Sequence, residues 1–175
     1  MANDITQSQL LGITALASNY CVCLENATEG DKSDFIVEIL SLLPRIYWEF
    51  SELEPDEKTG FDEFQYFNSY VDEEYYDSIR RKVEMVMGPD DVFLETFEND
   101  MKYSDTPIAA SISESLADIF QPLYNFISVV KESDGTQTLE AYRECRESFI
   151  EYWSQTLCNV LRALNHLRFN QTTSL

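Results

Sequence analysis

Residues 111–126 read SISESLADIFQPLYNF, and the fold turns on whether this stretch is a helix. Ser111 and Glu114 have the spacing of a capping box, in which a serine hydroxyl and a glutamate side chain each serve the other's backbone N–H. From there Ile112, Leu116, Ile119, Phe120, Leu123, Ile127 and Val130 recur in steps of three and four, as residues on one face of a helix do. Glu114, Asp118, Gln121 and Asn125 form a polar stripe on the roughly opposite side. Pro122 lies within the pattern; with no N–H to donate, it kinks the predicted helix and frees the carbonyl of Asp118.

The same periodicity extends through most of the chain. A first helix is expected from Ile5 to about Leu24, with Asp4 as N-cap and Gly30 near its end; its apolar positions cover most of the circumference, which predicts a central or well-covered helix. A second starts near Ser33 and carries Pro44, so it is either one kinked helix or two short ones. The acidic segment SELEPDEKTGFDEFQYFN reads as an irregular loop with Phe61, Phe64, Tyr66 and Phe67 available to anchor it. The third helix, VDEEYYDSIRRKVEMVMG, has Asp72 as N-cap, Gly88 past its end and Asp77 paired with Arg81. DDVFLETFEND reads as a short helix or an extended piece. A last, uninterrupted helix is predicted from about Thr138 to Leu167. With no internal repeat and no strand-period hairpins, the expected fold is all-α: a single-domain helical bundle of five to six helices over residues 1–175, two of them kinked by proline, with frayed ends at about 1–4 and 168–175.

Charge narrows the function classes. Acids outnumber bases 32 to 12, giving a net charge of −20, and the segment from Glu49 to Asp105 holds 18 acids against five bases. Such a surface repels phosphate backbones and anionic membranes, so neither nucleic acid nor membrane is an expected partner. A solubilising surface, a docking face for a basic protein, a divalent-cation site and nucleic-acid mimicry by residues 49–105 are the readings left open. No basic region precedes the first apolar run, so no signal peptide is expected, and no window is long and apolar enough to span a bilayer. Cys21, Cys23, Cys145 and Cys158 read as reduced thiols of a cytoplasmic protein.

The order and spacing of YVDEEYYDSIRRKVEMVMG, SLADIFQPL and YRECRESFIEYWSQTLCNVLRALNHL resemble the bacterial domain of unknown function 5063 family over roughly residues 33–167. The resemblance implies an all-α cytoplasmic protein. The family carries no assigned activity, so the resemblance transfers no catalytic residue.

Two sets of residues are candidates for function. Glu114 and Asp118 on the fourth helix, with Glu147 and Glu151 on the fifth, would form an oxygen-rich site for Mg²⁺ or Mn²⁺ if the two rows met across a groove. That arrangement would suit a metal-dependent phosphohydrolase. A solvated helix face is the competing reading. The E-x-x-E-like spacings at Glu74–Asp77 and Glu144–Glu147 lie about seventy residues apart and do not by themselves make paired motifs. A single histidine, His166, and the absence of a phosphate-binding glycine loop or a nucleophile elbow leave nucleophilic catalysis without support. The second set is aromatic: Tyr75, Tyr76, Tyr152 and Trp153 stand in doublets that cannot both face the core, which points to a protein-docking surface. A non-enzymatic interaction or adaptor module with a basic protein partner is the leading expectation, and the phosphohydrolase is the alternative.

Overall fold

A computed structural model describes residues 5–52, 67–95 and 107–170. They form six α-helical segments: α1 (Gln7–Glu25), α2 (Lys32–Glu52), α3 (Glu73–Met87), α4 (Ile112–Glu132), α5 (Thr138–Ser148) and α6 (Ser154–Phe169). The anchor residues Phe61, Phe64 and Tyr66 lie outside the described residues, as does Asp4.

The helix carrying SISESLADIF is the hub. α4 packs against α1, α3, α5 and α6, while α2 closes the bundle against α1 and α6. Its first half is buried nearly all round, because Ser113, Ser115 and Ala117 are small enough to let neighbours approach on the sides that the large apolar residues do not occupy. Only Glu114 and Asp118 open to solvent there. The central position, one of the two expected for α1, thus belongs to α4. α1 meets its neighbours on only part of its circumference, and its outer side leaves Leu11 71% exposed beside Gly12, Ala15 and Val22.

Capping follows local chemistry. The N-cap of α1 is Thr6, not Asp4: Thr6 and Gln9 complete a capping box, with the Thr6 N–H donating to Gln9 Oε1 at 2.8 Å. Asp72 accepts the Tyr75 N–H at 2.8 Å to start α3, and Gly88, at φ +55°, ends it. The Asp77–Arg81 pair forms at 2.8 Å, and Arg80 bridges Asp77 and Glu84 beside it. Pro44 and Pro122 both lie inside continuous helices, so α2 is one helix and not two.

After α3 a single 3₁₀ turn, Gly88–Asp91, leads into β1 (Val92–Leu94), which pairs antiparallel with β2 (Ala109–Ser111) in the register Val92↔Ser111. DDVFLETFEND therefore begins as turn and strand. The ribbon delivers the chain to α4, where Ser111 accepts the Glu114 N–H at 3.1 Å, the serine half of the expected capping box. A second acceptor comes from outside the helix. Buried Asp91 takes the Ser113 N–H at 2.8 Å and its hydroxyl at 2.7 Å, placing a carboxylate at the positive end of the central helix.

The last helix is not uninterrupted. α5 and α6 are joined by one π turn, Phe149–Trp153. Phe149, Trp153 and Leu157 are spaced by four and four; over eight residues an α-helix would let that row drift by about 80°. A π turn takes up an extra residue and keeps the row facing α2. Phe50 of α2 meets it there, with ring centroids 5.9 Å from Phe149, 5.2 Å from Trp153 and 5.2 Å from Tyr142.

Candidate functional site

Asp118 emerges from α4 toward α3, and its partner is a phenol: Tyr76 donates to it at 2.6 Å. Partial burial raises the Asp118 pKa, and nearby Glu114 pushes the same way against the Tyr76 hydrogen bond. The same device recurs around it. Tyr75 donates to Glu25 of α1 at 2.5 Å, and Tyr70 donates to Glu132 at the end of α4. Three uncharged donors thus secure α3 and the segment before it to α1 and α4. With acids so far in excess of bases, phenols serve carboxylates that cations are too few to pair. The phenol pKa values of Tyr75 and Tyr76 rise above the ordinary value through burial first, then through these hydrogen bonds. Tyr75 also packs edge-on against Phe120 and Tyr124, so it belongs to the α3–α4 seam.

Glu147 and Glu151 do not join this group. Both are exposed on the far helix, Glu151 within the π turn. Among the described residues no three His, Cys, Asp or Glu side chains gather as a metal site. The four carboxylates of the sequence reading therefore remain two separate helix faces, because α4 turns its Pro122–Asn125–Val129 side toward α5 and its Asp118 side toward α3. Asp77, in the EYYD spacing, is held by Arg80 and Arg81.

Between α4, α5 and residues 67–69 lies a pocket of about 250 Å³ lined by Pro122, Asn125, Glu144 and Cys145. Two of its polar groups serve the fold: Asn125 accepts the Tyr70 N–H at 2.8 Å, and the Cys145 thiol points at the Pro122 carbonyl, 3.6 Å away. Burial raises the Cys145 thiol pKa, so that thiol is poorly suited to nucleophilic attack. Burial, then Glu147, raises the pKa of Glu144.

The aromatic candidates divide. Tyr75 and Tyr76 are half-buried and tied to carboxylates, while Trp153 is only 3% exposed and belongs to the core between α2 and the π turn. Trp153 is corrected from docking residue to core residue, since the π turn aims it at Phe50. Tyr152, its neighbour, is 72% exposed. The other YW doublet is exposed as well. Trp48 is 62% exposed on α2, and Tyr47, packed edge-on against Phe149 at 5.4 Å, is exposed beside it. Like the other doublets, this YW pair puts a ring away from the core, beside the buried Phe50.

The chain matches the crystal structure of protein BF1032 from Bacteroides fragilis, a structural genomics target, with a TM-score of 0.78 and 29% identity over 97% of this chain and 98% of that one. No curated protein matches it. The family model for a domain of unknown function, DUF5063, matches residues 4–170, well beyond the segment that carried the sequence resemblance, and the chain belongs to that family.

Proposed function

We propose that this chain is a non-enzymatic protein-interaction module that docks a basic partner through the aromatic edge where α2 meets the π turn. The observation that carries the reading is the exposure of Trp48 and Tyr152 on two segments whose inner residues, Phe50, Phe149 and Trp153, form a rigid aromatic cluster. Exposed Trp and Tyr on a stiff base are typical anchors of protein interfaces. The net charge of −20 supplies long-range attraction for a basic surface and repels most others. A bacterial cytoplasmic setting belongs to the same reading; no helix among the described residues is long and apolar enough to cross a membrane. The phosphohydrolase alternative gains no support from the separated carboxylates.

Affinity capture from the native cell at low and high salt tests the proposal. Wild type should recover a basic protein at low salt and less of it at high salt, and Trp48→Ser combined with Tyr152→Ser should lose it. No partner at either salt, or equal recovery by the double variant, overturns it.

A further inference from the structure

One groove carries two arginines and no acid on a chain whose net charge is −20. Between α2 and α6 runs a groove of about 610 Å³, within the size range of small-molecule sites. Val37 and Leu40 on α2 and Leu161 and Phe169 on α6 supply its apolar lining, with Phe169 68% exposed. Arg162 and Arg168 line it as well, and no Asp or Glu does, although 32 of the 175 residues are acidic.

The two guanidinium groups are held without being neutralised. Arg162 donates through Nη2 to the Leu94 carbonyl at 3.1 Å, which spends one of its five N–H donors. Arg168 lies over the Phe169 ring, 5.0 Å from its centroid. Among the described residues neither pairs with a carboxylate, whereas Arg80 and Arg81 on α3 both do. The remaining groove side chains on α6, Cys158 and Asn165, are uncharged.

We infer that this groove binds a small organic anion: a single carboxylate on a hydrocarbon body of the size of a medium-chain fatty acid. The apolar walls take the hydrocarbon, and the arginines take the carboxylate. Both parts are needed, because the field of a chain with charge −20 opposes any anion. A bare anion lacks apolar contact to offset that field, and a neutral chain would cover two exposed guanidinium groups without pairing them. The docking edge at Trp48 and Tyr152 plays no part here, so the two proposals stand or fall separately.

Titration calorimetry with sodium decanoate below its micelle concentration is the test. Saturable binding at one molecule per chain is expected, weakened on the order of tenfold by each of Arg162→Ala and Arg168→Ala, as the loss of one partly desolvated charge pair predicts. Val37→Asp, a change at an exposed wall position, should abolish it, and Arg81→Ala should leave it unchanged. Circular dichroism of each variant establishes that it is folded. Absence of saturable binding, equal affinity for decanol, or full affinity in both arginine variants overturns the inference. So does saturation by an acidic amphipathic peptide alone, or a concentration-dependent dimer that Val37→Asp disperses, since each assigns the groove to another occupant.

Discussion

Phe50 and Trp48 stand two residues apart on α2 and should behave as opposites. Phe50 is 1% exposed and touches Tyr142, Phe149 and Trp153 with its ring. Truncating such a residue costs about 3–5 kcal/mol, the sum of lost transfer energy and an incompletely collapsed cavity. In a chain of 175 residues each kcal/mol moves Tm by about 2–4 °C, so Phe50→Ala should lower it by about 6–20 °C. Trp48→Ala removes a larger side chain, yet one already in water, and should change stability by no more than about 0.5 kcal/mol. Urea denaturation followed by circular dichroism measures both, and Phe50→Leu guards against outright unfolding by keeping most of the volume. Should Phe50→Ala fall within about 1 kcal/mol of wild type, or Trp48→Ala fall as far as Phe50→Ala, the division between aromatic core and aromatic edge is wrong.

The cap on the central helix is open to the same assay: Asp91→Ala strips two acceptors from buried Ser113 and should cost about 2–3 kcal/mol, with Asp91→Asn recovering part of it. At high pH, Tyr20, Tyr75, Tyr76 and Tyr142 all have raised pKa values, chiefly through burial. Their stabilising contribution is complete below the ordinary phenol value of about 10 and disappears as pH rises beyond it. Phenolate absorbance should therefore appear together with loss of helix, and normal titration of these tyrosines in a chain of unchanged circular dichroism would refute the reasoning. Asp118 titrates on the acid side. Its raised pKa means the folded chain takes up that proton before the unfolded one, so its contribution to stability grows as pH falls from 7 toward about 4. Asp118→Asn should flatten that part of the urea-midpoint profile, and an unaltered slope would count against it.

Helix number, the caps at Asp72 and Ser111, and the Asp77–Arg81 pair were legible because each depends on residues within four positions of one another. The exchange of roles between α1 and α4 was not. Periodicity records which side of a helix is apolar, and Leu11 or Val22 looks the same whether or not a neighbour arrives; Ser113, Ser115 and Ala117 look polar or indifferent until neighbouring elements press on them. The candidate carboxylates failed in the same way. Their spacing placed Glu114 and Asp118 on one face correctly, but which helix that face meets depends on packing, and the answer was the tyrosine of α3. Asp91 gave no local sign at all, since its partner lies 22 residues away.

The extra residue in the π turn fixes the phase of everything that follows it. Each residue advances an α-helix by about 100°, so deleting Ile150 and letting the turn revert to α-helix would keep α6 in phase with α5, whereas winding the full sequence as plain α-helix would rotate α6 by about that angle. Leu157, Val160 and Leu164 would leave the core, and the side bearing Arg162 and Arg168 would swing off the wall of α2. The arginine-lined groove keeps its present position because the π turn at Phe149–Trp153 absorbs the extra residue that a plain α-helix would turn into rotation.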